Sequence, residues 1–110
     1  MIQIHLTQCS FSKPEGKCHG RFNQSTITRE TLEEVLEALE GEYGIIPPKR
    51  PKGVFVDGPD GKAVQVGFIV NRWVEYPDNS RKKYWEENWV TFSKTTTKRI
   101  ALPKFLQAKH

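Results

Sequence analysis

Apolar and polar residues alternate from the first positions of the chain, Ile2, Ile4 and Leu6 pointing one way and Gln3, His5 and Thr7 the other. That period of two predicts a half-buried strand. The stretch from Ser10 to Gly20 is rich in Ser, Lys, Gly and Pro, and Lys13-Pro14-Glu15-Gly16 reads as a turn, with Phe11 and Phe22 as anchors of the excursion. The period then changes. Leu32, Val35, Leu36, Leu39 and Tyr43 follow the spacing of one buried helix face. Thr28 is the expected N-cap, Ile27 and Leu32 form a hydrophobic staple across it, and Glu30 sits in the first turn. Gly41 or Gly44 ends the helix.

Three prolines with Lys49, Arg50 and Lys52 make Ile45 to Gly53 an extended connector. Gly53 to Asp57 is a short strand, and Asp57-Gly58-Pro59-Asp60-Gly61 turns it into a much longer one. Along that long strand Val64, Val66, Phe68, Val70, Arg72, Val74 and Tyr76 share a face, while Gln65, Gly67, Ile69, Asn71, Trp73 and Glu75 take the other. It exceeds the usual strand length, so a bend or bulge near Gly67 is expected. Pro77-Asp78-Asn79-Ser80 turns again, and Tyr84 to Thr96 returns with Val90 and Phe92 inward. Ile100, Leu102, Phe105 and Leu106 mark a final strand or a docked tail. The order β-α-β-β-β predicts a single α+β domain over residues 1–110, an antiparallel sheet of about four strands with one amphipathic helix on one face.

A chain of 110 residues suits one domain, and 36% hydrophobic with 27% charged residues fits a folded, solvated protein. The net charge of +4 conceals a division: residues 1–45 carry four Lys/Arg against seven Glu, and residues 46–110 carry thirteen against six Asp/Glu. A basic field favours polyanions and acidic protein surfaces, so nucleic acid or an acidic protein is the expected partner. The N-terminal alternation does not resemble a secretory signal, and no apolar run approaches a membrane span. A cytoplasmic location without membrane association is therefore expected. There Cys9 and Cys18 stay reduced, whereas an oxidising compartment allows them to close a ten-residue loop.

The candidate chemistry lies between Arg72 and Phe92, which hold three tryptophans, two tyrosines and four basic side chains. Trp73, Trp85 and Trp89 fall on adjacent strands, and the parity of Trp85 and Trp89 against Val90 and Phe92 turns both of these away from the helix. Exposed aromatics on a sheet stack with unpaired bases, while Arg72, Arg81, Lys82 and Lys83 neutralise phosphates and Tyr84 extends the aromatic surface. The plainer alternative packs the tryptophans beneath the Pro47–Pro51 connector or the C-terminal tail. The order of elements does not match an RNA-recognition motif.

Other constellations are weaker. His5, Cys9, Cys18 and His19 include four zinc-type ligands, but the adjacent Cys18-His19 pair poorly suits one ion, so no metal and no cofactor is expected. No His–acid couple or activated nucleophile stands at usable spacing, which argues against an enzyme. Glu30, Glu33, Glu34, Glu37, Glu40 and Glu42 line the outward helix face, a solvated face or a dock for a basic partner. Self-association of acidic helix with basic sheet is a further reading. The functional expectation is a small non-enzymatic binding module for nucleic acid or a nucleic-acid-bound complex. The alternative is a protein–protein inhibitor or adaptor, such as a phage accessory factor blocking a host enzyme or defence complex, since aromatic and arginine-rich patches also form protein hot spots.

Overall fold

The computed structural model describes residues 1–11, 22–49, 51–78 and 81–93. Its elements in chain order are β1 (Ile2–Phe11), β2 (Phe22–Arg29), α1 (Leu32–Tyr43), β3 (Lys52–Asp57), β4 (Ala63–Glu75) and β5 (Lys83–Phe92). The strands make one antiparallel sheet in the order β2-β1-β5-β4-β3. The α+β class holds, but among the described residues the sheet has five strands and not four, in β-β-α-β-β-β order. The additional strand is β2, which pairs with β1 in the register Ile4 opposite Ile27 and Leu6 opposite Ser25.

Recognition of β2 also corrects the start of the helix. Thr31, not Thr28, is the N-cap: its Oγ1 accepts the Glu34 N–H at 3.2 Å and donates to the Glu34 carboxylate at 3.3 Å. Ile27 is a buried strand residue and not a staple, and Glu30 precedes the helix. At the other end Gly44 takes φ 66°, and the Gly44 and Ile45 N–H groups bond the Glu40 and Leu39 carbonyls at 2.9 Å. This is an αL closure, which glycine enters without the steric cost of a Cβ.

The core lies between the sheet and α1. Ile2, Ile4, Leu6, Ile27, Phe68, Val70, Val90 and Phe92 pack on Val35, Ala38, Leu39 and Ile45, with Leu32, Leu36 and Tyr43 at the margin. The even positions of β1 and β5, and those of β4 from Phe68 onward, therefore supply the helix side, as the alternation requires. Odd positions of the same strands form the opposite face.

The β3–β4 turn closes through Gly58 N–H to the Lys62 carbonyl (2.8 Å) and Lys62 N–H to the Asp60 carboxylate (3.0 Å). The long strand carries its irregularity where length demanded one: Val54 opposes Gly67 and Phe55 opposes Gln65, which leaves Val66 as an extra residue in β4. Beside it the backbones of β4 and β5 come close. A Cβ on Gly67 would stand 2.0 Å from the Val90 carbonyl oxygen, so only glycine fits.

Cys9 is disulfide-bonded, in contrast to the reduced thiol expected for a cytosolic setting. Cys18 and His19, the Lys13–Gly16 turn, Asn79 and Ser80, residues 94–96 of the expected returning strand, and Ile100, Leu102, Phe105 and Leu106 lie outside the described residues.

Candidate binding face of the sheet

Register alone places the tryptophans. Trp73 lies directly opposite Trp85, and Ile69 opposite Trp89, all at odd positions and thus on the face turned away from α1. The Trp73 and Trp85 rings meet edge to face with centroids 5.3 Å apart, the arrangement their quadrupoles favour. Trp73 keeps 49% and Trp89 40% of its surface exposed, and Trp85 is half-buried. On the same face Ile69, opposite Trp89, and Phe11, opposite Trp85, are buried. No described helix or strand lies over this face.

The charges around the tryptophans are mixed. Lys83 shares their face but opposes Glu75, and Glu87 stands between Trp85 and Trp89, opposite Asn71. Arg81 and Lys82 precede β5 at the end of the β4–β5 hairpin and are exposed, the hairpin closing through Tyr76 N–H to the Lys82 carbonyl at 3.0 Å. Arg81 takes φ 60°, a left-handed conformation that costs a non-glycine residue about 1 kcal/mol.

Two members of the expected site belong to the other side of the sheet. Arg72 faces the helix. Its Nε donates to Glu86 Oε1 at 2.8 Å, Nη2 to the Tyr43 carbonyl at 3.0 Å, and Nη1 to the Gly44 carbonyl. The guanidinium thus closes the carbonyl end of α1, which has no basic residue of its own in the last turn. Tyr84 lies on this side as well, opposite Val74, with its ring 5.1 Å from that of Tyr76. Burial raises the Tyr84 phenol above its ordinary 10.0, and the Glu86 carboxylate adds to this while Arg72 opposes it.

Sequence reasoning did not find the partners of Arg72. Glu86 and Asn88 are buried, and Asn88 is fully so. Asn88 Nδ2 donates to Glu86 Oε1 (2.9 Å) and to the Val70 carbonyl (3.1 Å), and its Oδ1 accepts from Gln8 Nε2 at 2.9 Å. The signal was present: both residues share the inward parity of Val90 and Phe92 and yet are polar.

The glutamates of α1, Glu33, Glu34, Glu37, Glu40 and Glu42, are exposed, and Arg29 reaches Glu42 at 3.3 Å. Among the described residues no three His, Cys, Asp or Glu side chains are grouped to hold a metal. His5 lies on the tryptophan face with its Nδ1 3.3 Å from Thr26 Oγ1, and the disulfide occupies the Cys9 sulfur that a zinc or nucleophile reading needs. Among the described residues no helix is long and apolar enough to cross a membrane. The chain matches no protein-family model, no curated protein and no solved structure.

Proposed function

We propose that this protein is a small non-enzymatic binding module whose tryptophan face engages single-stranded nucleic acid, or a complex that carries it. The observation that carries the reading is the group of Trp73, Trp85 and Trp89 on one face, two of them 40% or more exposed. Flat exposed rings accept unpaired bases by stacking, at about 1–3 kcal/mol per base. Arg81, Lys82 and Lys83 at the hairpin end supply the phosphate-neutralising charge, while Arg72 serves the fold and is left out of the binding set.

A protein partner is the second reading, favoured by Glu75 and Glu87 on the tryptophan face. Carboxylates there repel phosphates but suit the mixed rim of a protein interface. The deciding experiment is a titration of nuclease-treated protein with short single-stranded and duplex oligonucleotides at two salt concentrations, following tryptophan fluorescence and anisotropy. Quenching with salt-sensitive binding supports the stacking role. Absence of binding in the micromolar range assigns the face to a protein.

A further inference from the structure

The two edges of the sheet are unlike. β3 is short, follows Pro51, begins with Lys52 and is paired across a bulge, the devices that keep an edge from adding a further strand. β2 has none of these: eight residues in unbroken register, with no charge between Phe22 and Arg29 and no proline.

The hydrogen-bond phase identifies the groups that β2 offers. The Ser93 N–H bonds the Gln3 carbonyl at 3.1 Å, so the odd residues of β1 bond β5 and its even residues bond β2. By register those even residues face Asn23, Ser25, Ile27 and Arg29. Gln24, Thr26 and Thr28 therefore aim their N–H and C=O groups away from the sheet. The Thr28 carbonyl accepts from the Arg29 guanidinium at 2.9 Å, so the open stretch centres on Gln24 and Thr26.

Charge decides what fits. α1 rests chiefly on β2 and β1, so every other side chain of a strand added at this edge rises on the helix side. There it meets a helix with five exposed glutamates and no basic residue in its last turn. A second copy added through β2 would bring two acidic helices to the same side of a continuous sheet, which like charge opposes. We propose that the β2 edge binds an extended, basic peptide segment of a partner as a sixth strand, its backbone bonding Gln24, Thr26 and Thr28 and its Lys or Arg side chains facing the α1 glutamates. Such strand addition takes affinity from main-chain bonds and specificity from alternate side chains. The site is separate from the tryptophan face, so its fate does not depend on the nucleic-acid reading.

The test is a backbone-amide NMR titration of the full chain with an alternating Thr–Lys octapeptide, and with Thr–Glu and N-methylated Thr–Lys versions. The expected result is perturbation of Gln24, Thr26 and Thr28 by Thr–Lys, with binding to Thr–Glu weaker by about tenfold or more, the sum of a few exposed ion pairs. Thr26→Pro removes one outward N–H and leaves the β1 ladder intact, so it should abolish those shifts, whereas Thr26→Ala should keep them. Should Thr26→Pro fail to fold, loss of binding on N-methylation of the peptide gives the same answer from the other partner. The proposal is overturned if the three amides do not move, if Thr–Glu binds equally well, or if they shift with protein concentration alone, which would give the edge to a second copy.

Discussion

Arg72 and Glu86 face each other across β4 and β5, joined at 2.8 Å, and the same guanidinium holds the last carbonyls of α1. One side chain thus ties the helix end to the two strands that carry the tryptophans. Removing it leaves a nearly buried carboxylate without its cation and takes away the donors that meet the Tyr43 and Gly44 carbonyls. Arg72→Ala should cost about 3 kcal/mol, the lower end for breaking such a pair, read as a fall in the urea midpoint. Arg72→Lys should recover only part, since an ammonium does not span three acceptors in a fork.

Trp85→Ala and Trp89→Ala should each weaken single-stranded oligonucleotide binding by about 1–3 kcal/mol, and Trp85→Ala, which also removes the ring contact with Trp73, should lower the thermal midpoint more than Trp89→Ala does. Replacing Lys82 and Lys83 together should lower affinity at low salt and flatten the salt dependence by roughly two phosphate contacts. Equal affinity and slope in that double variant would remove the hairpin end from the binding surface.

Parity served the sequence reading well where a strand had one apolar side. It turned Trp85 and Trp89 to the side away from Val90 and Phe92, while turn residues marked the Gly58–Gly61 hairpin and strand length the irregularity beside Gly67. It failed at β2, whose inward positions Asn23, Ser25 and Ile27 include only one apolar residue. With no hydrophobic alternation to detect, Ile27 and Thr28 were absorbed into the helix start. Arg72 was misassigned for a different reason. Its partners Tyr43 and Gly44 lie far away in sequence, and a basic residue among aromatics gives no local sign that its donors are already used.

Gly67→Ala should be among the most damaging single-methyl changes in the molecule. The added carbon meets main-chain atoms of Val90 and Thr91, and a backbone neighbour cannot rotate aside. A loss of about 3 kcal/mol is expected, at the upper end for overpacking, measured by denaturant unfolding.

Tyr84 adds a pH dependence at the alkaline end. Its phenol is raised above 10.0, mainly by burial, so the unfolded chain loses this proton first as pH climbs. The native state then binds more protons than the unfolded one, and stability falls as pH rises from the unfolded value toward the folded one. Tyr84→Phe should shallow that decline above pH 10.0 and leave stability near neutrality little changed, with phenolate absorbance reporting the missing titration.

The strand order gives this chain an unusual assembly problem. β1 and β2 with α1 form one neighbourhood and the β3-β4-β5 meander another, each closed over shorter stretches of chain than the seam between them. The seam between them joins Ile4 to Phe92 and Phe11 to Trp85, almost the whole described length apart. In chain order β1 comes first among the described strands and its central neighbour β5 last, so one long edge of β1 waits unpaired until β5 is complete. Late closure of such a seam makes folding slow for a chain of this size and exposes the half-built sheet to wrong partners.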